Sequence, residues 1–159
     1  MTTRDDTMPT EDERARAHTD RVIDALLDSL RRNDMTAFAD QWAPAGSMEF
    51  PFAPPGYPVL RSRDDVRNYL KDYSATLRID TVTERRRHHT LDPSTVVLEF
   101  SAEGVAVQSD SPYRMDYVAV LTVGPDGVQH YRDYWNPLAA TAALGGADVL
   151  SSGFGGRDD

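Results

Sequence analysis

Apolar residues recur at helical spacing in the first half of the chain and at strand spacing in the second. From Glu11 onward, Val22, Ile23, Leu26, Leu27 and Leu30 fall on one stripe of a helix that breaks at Asn33-Asp34. Asp34 is placed to cap a second, short helix from Met35 to Trp42 with Phe38 and Trp42 on its buried side, and Pro44-Ala45-Gly46 ends it. A strand, Ser47 to Phe52, comes next. The loop at 53–58, Ala-Pro-Pro-Gly-Tyr-Pro, is too stiff for regular structure. Ser62 then caps a third helix through about Leu77. Its first turn carries Asp64 and Asp65, where the helix dipole favours acids, and Val66, Tyr69, Leu70 and Tyr73 form its apolar stripe.

Past Arg78 the period drops to two. Arg78–Leu91, Thr95–Val107, Pro112–Val123 and Val128–Trp135 read as strands joined by turns. Helices first and antiparallel strands afterwards predict an α+β domain. It spans 11–140, between a disordered, charged N-terminus at 1–10 and a flexible Gly- and Ser-rich tail at 141–159.

The last strand, with its continuation VQHYRDYWNPL, concentrates the chemistry. Alternation puts Gln129, Tyr131, Asp133 and Trp135 on one face and His130, Arg132 and Tyr134 on the other. The turn Gly124-Pro125-Asp126-Gly127 suits a three-residue hairpin loop with Gly127 left-handed and Gly124 facing Val128. Counting outward pairs Asp133 with Ala119 and Trp135 with Tyr117, so Met115, Tyr117, Ala119 and Leu121 share the apolar face with Asp133. An ionised carboxylate on such a face is costly to bury. It is paired, neutral, or there to move a proton.

Composition narrows the field. The chain has 159 residues, enough for one domain that buries roughly 70% of its unfolded surface. No apolar run approaches the ~20 residues of a membrane span, and the N-terminus is too polar for a signal peptide, so the expected compartment is the cytoplasm. There are no cysteines, which excludes disulfides, thiolate metal sites and a Cys nucleophile. A net charge of −9 disfavours nucleic acid and anionic membrane as partners. No Gly-rich phosphate loop, nucleophile elbow or HExxH motif is present, and neither cofactor nor metal is expected.

Helix, short helix, the strand-loop EFPFAPPG, a third helix and a sheet ending in YRDYWNPL together resemble the SnoaL-like branch of the nuclear transport factor 2-like superfamily. The look is nearest to small proteins of polyketide and phenazine biosynthesis, over about Asp20 to Leu138. The resemblance implies a cone-shaped α+β barrel, three N-terminal helices packed in a curved, mainly antiparallel sheet with a ligand cavity in its open end. Against the related ketosteroid isomerases, the segment NDMTAFADQWAPAGSMEFP places Phe50 where the general base stands, Leu26 at the oxyanion-hole tyrosine and Ala119 at the acid donor, so that constellation is absent. Against the limonene epoxide hydrolases, YRDYW puts Asp133 at the catalytic aspartate. The neighbouring strand VVLEFSAEG offers Glu99 and Glu103 but no Arg, which leaves that triad incomplete. The polyketide cyclases similarly use a last-strand aspartate as acid/base, and that match survives.

Asp133 is thus the leading catalytic candidate, with aromatic neighbours that desolvate it. Glu49 is the second, although alternation puts it opposite Met48 and Phe50; were both acids inside, they would divide into an acid and a base. Tyr117 and Tyr131 are candidate donors to a developing oxyanion, or else core packing with satisfied hydroxyls. Trp42, Phe50, Phe52, Met115 and Trp135 are expected to wall the substrate. In Arg85-Arg86-Arg87-His88-His89, adjacent histidines point to opposite strand faces and cannot share a metal; His88 or Arg87 is the candidate to hold an anionic group. The expected function is a cofactor-free isomerisation or cyclisation of a small, hydrophobic, oxygenated substrate by a homodimer packed through the outer face of its sheet. A non-catalytic binding module and epoxide opening are the alternatives.

Overall fold

In the computed structural model, which describes residues 7–145, Thr10 and Glu13 close a capping box that starts α1 (Glu11–Arg31). Its buried side carries Val22, Ile23, Leu26 and Leu27, the stripe that the periodicity predicts. The Asp34 carboxylate accepts from the Ala37 amide at 2.9 Å and caps α2 (Met35–Asp40). That helix is shorter than expected. Trp42 instead opens β1 (Trp42–Glu49), which runs through Pro44-Ala45-Gly46 rather than starting after it. The cause is tertiary: Trp42 and Ser47 to Glu49 pair in parallel with β5 (Gly127–Trp135), with an irregularity between Trp42 and Ser47 that accommodates the proline on an edge strand.

The Ser62 hydroxyl accepts from the Asp65 amide and caps α3 (Arg63–Leu70), as expected. The single helix expected through Leu77 is broken, with a short α4 (Tyr73–Thr76) completing it. Leu77 is already the first residue of β2 (Leu77–His89) and pairs with Ala106 of β3 (Thr95–Ala106), so sheet pairing cuts the helix off. β4 (Ser111–Gly124) follows. Among the described residues the sheet has five strands in the order β1-β5-β4-β3-β2, antiparallel except at β1.

Two irregularities in the β2–β3 pairing, at Ile79/Thr81 and Glu84/Arg86, mark bulges of the kind that bend a sheet. Gly104 serves this close approach: a Cβ there would stand 1.8 Å from the Arg78 carbonyl oxygen. The sheet thus curves, and α1 to α4 pack on its inner face around a core that includes Ile23, Leu27, Trp42, Val66, Leu98 and Leu121.

The β4–β5 hairpin reaches the expected register by another route. Gly124 pairs with Gly127 across a two-residue Pro-Asp loop, and Val123 pairs with Val128. Thr122 then pairs with His130, leaving Gln129 as an extra residue in a bulge. The bulge supplies the residue that the loop lacks, so Asp133 still faces Ala119 and Trp135 faces Tyr117. Gln129, expected on the inner face, is exposed. Gly127 is required twice over, by its φ of 119° and by the Gln41 carbonyl oxygen 2.2 Å from where a Cβ would sit.

One helix was not expected. Asn136 accepts from the Leu138 amide, Pro137 takes the first turn, and α5 (Pro137–Leu144) ends at Gly145, with φ 87°. It reaches into the segment read as a loose tail, whose remainder, 146–159, lies outside the described residues, as do residues 1–6 of the N-terminus. Among the described residues no helix is long and apolar enough to cross a membrane.

Within the basic run of β2, Arg87, His88 and His89 are taken up by acidic partners. Arg87, only 14% exposed, reaches Asp20 and Asp24 of α1 at 3.0 and 2.7 Å and Glu84 at 2.9 Å. His89 joins Asp20 at 2.9 Å. Arg87 is therefore a clamp between helix and sheet, not an anion site. Arg87→Met is expected to cost about 2 kcal/mol in urea unfolding, because it removes the guanidinium shared by Glu84, Asp20 and Asp24 and leaves the partly buried Glu84 without its cation.

Candidate functional site

Three rows of paired residues build the inner face over which the cavity lies. Phe100, Tyr117 and Trp135 form one, Leu98, Ala119 and Asp133 the next, and Val96, Leu121 and Tyr131 the third. Within the first row the rings of Phe100 and Tyr117 stack at 4.8 Å and 12°. Helices and loops close the space above. Leu30 and Met35 come from the α1–α2 end, Tyr69 from α3, Tyr73 from α4, Tyr57 from the Pro-rich loop, and Ala140, Ala143 and Leu144 from α5. The result is a cavity of about 90 Å³, roughly what several waters or a small ligand core would occupy.

Asp133 is the one acid among the described residues that line it, and no Arg, Lys or His joins it there. Its carboxyl is buried, and Oδ1 has no hydrogen-bond partner among the described residues. Removal from water disfavours the charged form, and this lifts its pKa from the ordinary 3.8 to about 7.

Around the acid stand six phenols: Tyr57, Tyr69, Tyr73, Tyr113, Tyr117 and Tyr131. The hydroxyls of Tyr57 and Tyr69 are 2.6 Å apart. Tyr73 hydrogen-bonds with Tyr117, and the Tyr113 hydroxyl nearby is buried with no hydrogen-bond partner among the described residues. Burial raises the pKa of every one of these phenols, Tyr57 to about 12. The charge of Asp133 pushes five of them in the same direction, all but Tyr113. The phenols therefore stay neutral and available as donors near pH 7, while the acid is poised to hold or release a proton.

Of the residues singled out from sequence, Asp133, Tyr117, Tyr131, Phe50, Met115 and Trp135 come together in this cavity. Four others do not. Glu49 points to the outer face, where it ion-pairs with Arg132 at 2.9 Å and His130 at 3.2 Å, so it is not available to assist Asp133. Strand alternation is the reason, since Met48 beside it faces inward. Phe52 lies past the end of β1, 63% exposed and edge-on to Tyr134. Trp42 is fully buried behind the cavity wall, stacked on Tyr131 at 5.4 Å, and packs as core. His88 faces outward and bonds Glu99 at 2.6 Å. Glu99 and Glu103 are likewise outside the cavity, Glu103 paired with Arg114. Among the described residues no group of three or more His, Asp or Glu is arranged to hold a metal ion.

Tyr57, Tyr69, Tyr73 and Tyr113 were not singled out as site residues. Their signal was present: Tyr69 and Tyr73 share one helical face, and Tyr113 lies two residues before Met115 on the inner face of β4. Leu26 and Ala119 are buried and apolar, and Phe50 is packed against Tyr57 and Tyr69 at 5.1 Å each. Of the three positions that the resemblance sets against the isomerases' catalytic groups, two are thus plain core here and the third is cavity wall.

Comparison with known proteins agrees with this architecture. The Bacillus subtilis protein YesE is 32% identical over 119 residues, 74% of this chain and 81% of its own. The PhzA/B-like protein PA3332 of Pseudomonas aeruginosa is 33% identical over 130 residues, covering 79% and 92%. A solved Bacillus subtilis protein, whose isomerase role is itself only proposed, superimposes with a TM-score of 0.76 at 28% identity over 86% of this chain and 97% of that one. More distant structures at 13 to 16% identity share the fold; they include a proposed polyketide cyclase, a phenazine biosynthesis-related protein and epoxide hydrolase-like enzymes. The SnoaL-like domain matches residues 23–132. With the cone of helices on a curved sheet and the matched span both in place, the chain belongs to the SnoaL-like domain family.

Proposed function

We propose that this protein is a cofactor-independent acid–base catalyst acting on a small, largely apolar carbonyl compound of the kind met in polyketide- or phenazine-like biosynthesis. The observation that carries the reading is a single one: Asp133 is buried, Oδ1 unpartnered, in a phenol-lined cavity that brings its pKa to about 7. The carboxylate takes a proton from the carbon next to the carbonyl and returns it elsewhere on the same molecule, an isomerisation or the opening step of a cyclisation. The Tyr73–Tyr117 pair, the unpartnered Tyr113 hydroxyl, or Tyr131 donates to the carbonyl oxygen as charge develops on it. Among the described residues the cavity offers no second acid and no guanidinium, which favours proton transfer at carbon over epoxide opening. Solvent-deuterium exchange into a panel of small cyclic ketones and 1,3-diketones, followed by NMR, tests the proposal. The protein is expected to accelerate exchange for at least one compound, with a rate that climbs up to about pH 7 and levels above it. No acceleration across the panel would leave the second reading, a cavity that binds without chemistry. That reading draws on Leu26, Phe50 and Ala119 standing where the isomerases carry catalytic groups.

We further propose that the protein acts as a homodimer through the outer face of the sheet, where Phe52 and Val118 are exposed. Light scattering on the eluting protein is expected to give about twice the 17.7 kDa chain mass. A monomer mass at micromolar concentration would overturn this.

A further inference from the structure

The polar groups of the cavity are unevenly matched. Four of the phenols pair, Tyr57 with Tyr69 at 2.6 Å and Tyr73 with Tyr117, while the buried Tyr113 hydroxyl makes no hydrogen bond among the described residues. Asp133 Oδ1, fully removed from water, has no partner. Among the described residues lining the cavity there is no Arg, Lys or His, so an ionised Asp133 has no countercharge within reach. The remaining surface is aromatic and aliphatic, with Phe50, Phe100 and Trp135 among the walls. A ligand that completes this site has a cationic N–H end and a compact apolar body.

We propose that the cavity binds small alkylammonium ions, the N–H donating to the Asp133 carboxylate and the alkyl groups lying against the aromatic walls. A charge-assisted hydrogen bond replaces the missing partner, and aromatic rings tolerate a cation better than they tolerate an anion. A carboxylate ligand would instead stand beside an acid with no cation to hold it. An alcohol of the same shape offers a hydrogen bond but no charge. The assignment concerns ligand class alone and stands whether or not the site moves protons at carbon.

The titratable groups that face Asp133 are Tyr131 on its own strand, Tyr117 on β4, Tyr69 on α3, Tyr73 on α4 and Tyr57 on the loop. All are phenols raised by burial, so between pH 6 and 8 only the acid itself changes charge. An alkylammonium, with a pKa of about 10, keeps its proton throughout that window. Its affinity therefore follows the ionised fraction of Asp133, rising with pH toward a plateau above about 7.

Three probes that share a tert-butyl body separate the possibilities: tert-butylammonium, tert-butanol and trimethylacetate, titrated calorimetrically into the full chain at pH 6, 7 and 8. The ammonium is expected to bind at least tenfold more tightly than the alcohol at pH 8, to lose about tenfold between pH 8 and 6, and to outbind trimethylacetate at every pH. In Asp133→Asn its affinity should fall to that of the alcohol, and Asp133→Glu should restore the preference for the cation. Equal binding of ammonium and alcohol, a preference for trimethylacetate, or an ammonium affinity flat across the pH series overturns the proposal. The pH series uses the unaltered protein, so a variant that fails to fold does not shield it. Ketone exchange is scored separately, and either proposal can fail while the other stands.

Discussion

Asp133→Asn is expected to slow the catalysed exchange of ketone α-protons by 10²–10⁴-fold, the usual contribution of one positioned general base. Asparagine keeps the shape of the side chain and can still hydrogen-bond to a ligand, but it cannot accept a proton from carbon. Ketone affinity should therefore stay within a few-fold, and the loss should fall on turnover. In the unaltered protein the rate should climb about tenfold per pH unit below 7, because only the carboxylate abstracts a proton. An Asn variant that keeps its turnover would remove Asp133 from the chemistry. A variant that loses affinity and rate together would mean that the carboxyl holds the ligand rather than reacting with it.

The second large effect is on stability. Burial raises the Asp133 pKa from 3.8 to about 7, and at 1.36 kcal/mol per pKa unit this corresponds to about 4 kcal/mol. Below pH 4 the carboxyl is protonated in the folded and unfolded chains alike, and its contribution is fully present. As pH rises toward 7 the unfolded chain releases the proton while the folded one still holds it, so stability drains away and is gone above about 7. Other carboxylates act in the opposite sense. The carboxyl of Asp20 is held below its usual range by hydrogen bonds from His89 and Arg87, which outweigh its partial burial, and that stabilisation is lost as pH falls. The clean readout is therefore the difference between the two proteins in urea unfolding across pH 4 to 8. The Asn variant should gain on the unaltered protein by up to about 4 kcal/mol over that range. A constant difference would mean that Asp133 titrates as an ordinary surface acid, and the tuning invoked for catalysis would go with it.

Much of the site was legible before any coordinates, for reasons local to a few residues. Period-two alternation puts Asp133, Tyr131 and Trp135 on one face of β5, and the partner residues of β4 follow from counting out of the hairpin turn. The same register arises from a different turn. A two-residue loop and a bulge at Gln129 add to the same offset as a three-residue loop, and the pressure to bury Leu121, Ala119 and Tyr117 selects that offset over its neighbours. Glu49 was legible in the same way, since alternation already opposed it to Phe50. Its ion pairs with Arg132 and His130 then hold it outside.

The rest depended on contacts that local pattern does not carry. β1 passes through Pro44-Ala45-Gly46 because a parallel partner lies some eighty residues further on in β5, whereas the sequence around it reads as a helix end. Phe52 and Trp42 carry the apolar character of a cavity wall, yet one sits past the strand end in solvent and the other behind Tyr131. Hydrophobicity marks what avoids water without saying which side of a wall it takes. By itself the sequence determined that helices come first and strands follow as far as the last strand, the inward face of the last hairpin, and the presence of one acid on it. Only the tertiary structure decided that six phenols from a loop, two helices and two strands close around that acid, and that no cation accompanies it among the described residues. Those are distances between groups far apart in the chain, and they exist only once the sheet has curved and the helices have packed across it.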